Sequence, residues 1–378
     1  MNPVVATILG AVLIVAILRD VFEGIILPQT VSRAWRPARV FYILTWGAWT
    51  RVAGAIPAGK RREGFLAVYG PLSILVLFAF WAYCLIVGFA LLQYGFGSHL
   101  DLVAGRSNFW IDLYMSGTTF FTLGLGDVTP NDLASRILTV MEGGMGFAVL
   151  AAIISYLPVL YQAFSRRELN ISLLDSRAGS PPTAEILLQR EGRDHASLER
   201  LLREWERWAA ELMESHLSYP TLAYYRSQHQ NQSWLAALTT ILDASAFSLA
   251  SFDGPVARQA RLTFAMARHA VVDLSQIFRA APVAPPVERL GPDGLARMRE
   301  HLARAGVPVR TDAKADAKLD ELRRLYEPYV HALGRRFRFA VPAWSPEGAR
   351  ADNWRTSGWE KSTALRRTAA ELHEDDGA

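Results

Sequence analysis

The sequence predicts an all-α membrane protein. Three observations carry this. From Gly64 to Ser98 no charged residue occurs, and from Ile137 to Tyr161 the only one is Glu142. A spanning helix needs about 20 predominantly apolar residues, so each run holds one. After Ser165-Arg166-Arg167-Glu168 the chain turns dense in Arg, Glu and Asp. Apolar residues there recur at helical spacing, without the Val/Ile-rich alternation of strands.

Composition excludes several function classes. The formal net charge of +4 comes from Arg residues interleaved with acids, which builds no basic face for nucleic acid. Cys84 is the sole cysteine and lies in an apolar run. It can form neither an intrachain disulfide nor a cysteine metal site, and it reads as a small buried side chain. The charged half offers no nucleophile–base constellation, so no enzyme is expected.

The first element runs from Pro3 to Leu18, 16 residues without charge. It spans if Arg19, Asp20 and Glu23 reach the interface, their stems lying along the apolar surface. No basic residue precedes the run and no small-residue cleavage pattern follows, so it reads as an uncleaved span. The next segment holds Arg33, Arg36, Arg39, Arg51, Lys60, Arg61 and Arg62, whereas the 94–106 loop holds only Arg106. The positive-inside rule puts that segment, with Arg166 and Arg167, in the cytosol and the 94–106 loop outside. Val40 to Ile56, with Trp46 and Trp49 but also Arg51, fits an interfacial helix at headgroup depth. As a fourth span it would carry Arg33, Arg36 and Arg39 outside, so three spans are favoured.

Between the two long runs, residues 108–121 suit a short helix capped by Ser107 or Asn108. It is too short to cross and must re-enter. Thr122-Leu123-Gly124-Leu125-Gly126-Asp127 follows, with glycine at alternate positions, which opens backbone angles closed to other residues. Such a segment can turn successive carbonyls to one side. Non-helical backbone at membrane depth is tolerated only where it lines a protein-walled or water-filled cavity. Four copies around an axis would stack rings of carbonyl oxygens able to replace a cation's hydration shell. One segment per chain cannot enclose an ion, so a homotetramer is required. No P-loop Lys-Ser/Thr follows, which rules out a phosphate cradle.

Thr119-Phe120-Phe121-Thr122-Leu123-Gly124-Leu125-Gly126-Asp127 resembles the signature of the potassium channel superfamily, whose filter reads T-V-G-Y-G. The order of span, re-entrant helix, filter and span over residues 64–164 is similar to the pore module of two-transmembrane potassium channels. The resemblance implies passive, potassium-selective conduction in the cell membrane with no cofactor beyond the permeant ion. Thr122, Leu123, Gly124, Leu125 and Gly126 would line the ion path, with K+ held by the carbonyls of the first four, and Asp127 would cap the outer side. The sequence departs from the pattern at Leu123, where valine is usual. It departs again at Leu125, which replaces an aromatic and removes a ring hydroxyl that braces the filter. Leucine at that place also occurs among two-pore-domain potassium channels. Tyr114 and Met115 stand where some relatives carry tryptophans, and Thr118 where some carry an acid.

The last span holds the gating candidates. The resemblance puts a hinge near Gly146, in a cluster with Gly143 and Gly144; close helix packing is the alternative. Pro158 either bends this helix or marks its exit from the membrane. A gate is expected around Phe147, Leu150, Ile154 and Pro158. Glu142 is an intramembrane acid, which marks function by default. Its expected partner is Thr118 or Thr119 behind the filter, all three as filter support; a structural acid bonded to a neighbouring helix is the other reading.

The expected organisation is 1–63, an N-terminal span with a basic interfacial helix, and 64–164, a pore domain. The latter comprises an outer helix, pore helix 108–121, filter 122–127 and inner helix 133–164. Residues 165–340 form a helical cytosolic domain with breakers such as Pro181-Pro182 and Asp253-Gly254-Pro255, and 341–378 a polar tail carrying Trp344, Trp354 and Trp359. No GxGxxG occurs, which argues against a Rossmann-type gating domain. Trp205, Trp208, Tyr224 and Tyr225 read as core aromatics before a ligand pocket. His195, His216, His229 and His269 lack metal spacing. With no breaker before Gly179-Ser180-Pro181-Pro182, the helical domain is expected to pull on the inner helix in response to a regulator the sequence does not name. A non-selective cation channel and a non-conducting membrane-anchored sensor or scaffold are the alternatives; the intact alternating glycines favour conduction.

Overall fold

A computed structural model describes residues 2–26, 36–97, 100–102, 108–229 and 231–346, and these are almost entirely helical. They divide into two units. One comprises Met1–Gln162 with Thr221–Tyr225, the other Ala163–Pro220 with Arg226–Ala378.

The first unit begins with α1, Pro3–Val21, started by the Asn2 side chain accepting from the Val4 amide at 2.9 Å. It packs antiparallel on α3, Lys60–Phe96. Gly95 of α3 lies against Thr7, Gly88 against Ile14, and Gly24, just past α1, against Trp81 of α3. Small residues let two apolar helices approach closely where lipid gives no hydrophobic reason to associate.

Helix α2 spans Pro37–Gly54. Phe41 stacks on Phe80, Trp46 packs on Tyr69 and Trp49 stacks on Phe65, with ring centroids 6.2, 4.7 and 4.4 Å apart. The partners descend along α3 as α2 ascends, so α2 runs antiparallel along the first half of α3. Both tryptophans pack on rings of α3. The corner between α1 and α2 is made by Asp20, which was expected at the interface but is buried. It accepts from the Ala38 amide at 2.8 Å and the Trp81 indole at 2.9 Å, and Arg36 faces it at 3.6 Å.

Thr221–Tyr225 also belongs to this unit, although the chain on either side does not. Tyr224 sits among Tyr42, Trp46 and Tyr69 with ring centroids 5.1–5.4 Å away. Tyr225 lies against Gly70, where an added Cβ would come within 2.8 Å of its ring.

The inner helix α5 runs unbroken from Leu133 to Ala178, beyond the expected end at 164, with Pro158 inside it. At 1.5 Å per residue it is roughly 70 Å long. Pro158 therefore does not end the helix. Among the described residues four helices are long and apolar enough to cross a membrane: Pro3–Ile25, Lys60–Phe96, Leu133–Ala178 and Trp234–Ser251. In the last, α8, 94% of the residues are buried. It is hydrophobic all round because it is a core helix of a large domain.

The second unit is a helical bundle in which α8 packs against α9, Gly254–Ile277, and α9 in turn against α7, His195–Ser218. Asp194 and Ser233 cap α7 and α8 by accepting from backbone amides. Trp205 and Trp208 are buried against each other, as core aromatics. Asp243 of α8 is paired with Arg289, and the Tyr326 hydroxyl donates to the same carboxylate. Glu327 accepts from Arg289 at 3.1 Å and Arg323 at 3.2 Å. Trp344 is buried over both guanidinium groups. The tail expected from 341 therefore starts inside the core, because one indole seats on two arginines. Trp354 and Trp359 lie outside the described residues.

Candidate functional site: a re-entrant filter segment and its supports

Helix α4, where the pore helix is expected, spans Phe109–Phe120, and Asn108 caps it by accepting from the Trp110 and Ile111 amides at 3.0 and 3.2 Å. Its last turn holds the start of the filter. The Thr122 amide donates to the Thr119 carbonyl at 2.9 Å, and the Leu123 and Gly124 amides to the Thr118 carbonyl at 2.7 and 3.4 Å. The first three filter amides are thus engaged on α4, and their carbonyls are left to face elsewhere. About half an elementary charge of negative sign gathers at this end of α4.

The backbone beyond has an alternating twist. Thr122, Gly124 and Gly126 have φ of 57°, 54° and 79°, while Leu123 and Leu125 stay on the negative side. Alternating the sign of φ turns successive peptide carbonyls to the same side, which an ordinary strand does not do. Glycine takes positive φ freely, but a β-branched threonine does so only under constraint, on the order of 1–3 kcal/mol. A strained Thr122 is consistent with a backbone held for a purpose. The segment is exposed throughout, with Leu123 and Leu125 at 62% and 63%.

Beyond the filter, Asp127 accepts from the Tyr114 hydroxyl at 2.9 Å. This bond ties the residue after Gly126 back to α4. Val128–Pro130 then pairs antiparallel with Leu100–Leu102, tying the exit of the filter to the loop after α3.

Behind the filter the supports differ from expectation in one partner. Thr118 and Thr119 act through the carbonyls just described, and the Thr118 hydroxyl donates back to Met115 at 2.9 Å. Glu142 is buried on α5, but its partner is Ser116, just before the two threonines. Ser116 also lies 2.7 Å from the Ile86 carbonyl of α3. Sequence reasoning missed Ser116; a hydroxyl on an apolar re-entrant helix was the signal available.

The gating candidates fall into two groups. A Cβ built on Gly146 would lie 2.4 Å from the Phe120 carbonyl oxygen, so this glycine lets α5 touch the backbone of α4. Phe147 and Ile154, seven residues apart and 68% and 70% exposed, share one face of α5 with exposed Tyr161. Leu150 is half-buried, and Pro158 is exposed on the helix. Among the described residues no cluster of His, Cys, Asp or Glu could hold a metal ion.

An uncharacterized membrane protein of Bacillus subtilis (strain 168), YdjJ, is 28% identical over 176 residues, covering 45% of this chain and 51% of its own length. The chain thus spans about half the length of that curated relative. No solved structure matches it. Residues 72–162, from α3 through α4 and the segment after it into α5, match the family described as Ion channel.

Proposed function

We propose that the chain is one subunit of a homotetrameric potassium channel, conducting passively through rings of carbonyls from Thr122, Leu123, Gly124 and Leu125. The observation that carries this reading is the alternation of φ at Thr122, Gly124 and Gly126, with the preceding amides tied to α4. A bare cation leaves water only for a cage of oxygens, and four such segments supply one. The exposed leucines at 123 and 125 would gain cover from neighbouring subunits. The excess of arginine before α3 and after residue 164 favours a cytoplasmic second unit. Phe147, Ile154 and Tyr161 form the exposed stripe of α5 that four copies would bring around the axis, so the gate is assigned there.

Reversal potentials in planar bilayers, with potassium on one side and sodium on the other, test this reading. Potassium should permeate roughly tenfold better or more, as dehydration by a carbonyl cage requires. A reversal potential near zero would replace it with a non-selective cation pore, and absence of current from intact tetramers would leave a membrane-anchored sensor.

A further inference from the structure

Ser116, Glu142 and Ile86 bring three helices to a single hydroxyl. Ser116 of α4 lies within hydrogen-bonding reach of the Ile86 carbonyl on α3, at 2.7 Å, and of a Glu142 carboxyl oxygen on α5. A serine hydroxyl has one proton, and a backbone carbonyl can only accept. With that proton on Ile86, the second contact closes when the Glu142 carboxyl itself carries a proton and donates it to Ser116. Both side chains are buried, at 1% exposure each, so a missing bond there is not replaced by water.

One helical turn beyond Glu142, Gly146 brings α5 against the Phe120 carbonyl. Gly143 lies in ordinary contact with the Thr119 methyl, at 3.8 Å from a built Cβ. The inner helix therefore meets α4 at Ser116, Thr119 and Phe120. Those residues bracket Thr118 and Thr119, whose carbonyls hold the amides of Thr122, Leu123 and Gly124.

We infer that Glu142 is a positioning residue for the filter: its hydrogen bond to Ser116 locks the filter-holding end of α4 to the inner helix. Movement of α5 then reaches the carbonyl rings directly, and ion discrimination depends on a side chain that never touches the ion. This rests on the channel reading above and goes beyond it by assigning control to the back of the filter.

The test compares full-length wild type with Glu142→Gln, Glu142→Ala and Ser116→Ala in bilayers, reading the potassium-to-sodium permeability ratio. The glutamine amide can donate to Ser116 as the protonated acid does, so Glu142→Gln should retain the ratio. Glu142→Ala and Ser116→Ala should each lower it about fivefold, the effect of losing one hydrogen bond of ordinary net strength. The double variant should be no worse than either single one, because both remove the same bond. Unchanged ratios in both alanine variants would overturn the inference, as would a Glu142→Gln variant as impaired as Glu142→Ala. If Glu142→Ala fails to assemble, Ser116→Ala decides, since it removes only an oxygen. A wild type that does not discriminate would instead sink the channel reading and this inference with it.

Discussion

His216 makes the second unit sensitive to acid in a way that can be worked out. It is fully buried on α7, and its Nδ1–H donates to the Leu212 carbonyl at 2.8 Å. Nε2 is thereby left to accept from the Arg167 guanidinium at 3.3 Å. A proton on Nε2 would face that guanidinium in a site without water. Burial first, and the Arg167 charge second, push the His216 pKa from 6.5 down to about 3. The folded protein thus holds a neutral imidazole, while the unfolded chain takes up a proton near pH 6.5. Stability is whole above the unfolded value and falls as pH drops toward 3, at about 1.4 kcal/mol per pH unit. Between pH 7 and pH 4.5 the loss from this residue is about 2–3 kcal/mol. Carboxylates elsewhere contribute their own slopes, so the measurement is a difference. Thermal unfolding of wild type and His216→Gln, followed by tryptophan fluorescence, is compared across that range. Glutamine can still accept from Arg167 and does not titrate, so the wild type should lose stability relative to it by this amount. Parallel pH profiles would refute the buried neutral histidine.

Three other outcomes are expected. Gly146→Ala should cost about 1–3 kcal/mol, because the new methyl meets backbone that cannot swing aside, whereas Gly144→Ala, with open space around it, should be near neutral; equal thermal midpoints in detergent-solubilised protein would return Gly146 to a hinge. Tyr114→Phe removes the hydroxyl from Asp127 and should hasten the decay of current during sustained opening by about 2- to 10-fold with selectivity kept; unchanged decay in patch recordings would make that bond ornamental. Asp243→Ala leaves the buried Arg289 guanidinium with Glu327 and the Pro342 carbonyl and without its closest carboxylate, and should cost about 3–5 kcal/mol; denaturant unfolding of the full chain reads it, and a change under 1 kcal/mol, the scale of an exposed pair, would contradict the burial.

What the sequence made legible was local. An uncharged run from Gly64 to Ser98 and a Thr-x-Gly-x-Gly-Asp string need no knowledge of neighbours, and both the long helices and the backbone of alternating φ after α4 fall where they point. Partners across long separations were not legible. Glu142 and Ser116 lie 26 residues apart, and at that distance an error of less than one turn in register changes the partner. The ring contacts of Trp46 and Trp49 on α3 were likewise beyond reach, because composition names no packing partner. Trp344 was misread because a segment's average polarity says nothing about one indole held over two arginines. Helix α8 shows the opposite hazard. Hydropathy alone would pass it as a span, and only the caps and charges around it mark it as a domain core.

The placement of Thr221–Tyr225 changes what counts as a minimal fragment. A chain cut after Phe164 retains α1 to α4, the filter and most of α5, and by sequence it holds everything the pore requires. It would nonetheless lack the two tyrosines that fill the cleft lined by Tyr42, Trp46, Tyr69 and Gly70. Exposing that aromatic surface invites association with detergent or with other chains. Domain excision here is therefore surgery on both pieces at once, since the parts interleave along the chain instead of following one another. An insertion or duplication of the C-terminal half would have to preserve a five-residue plug whose fit is read by the opposite half.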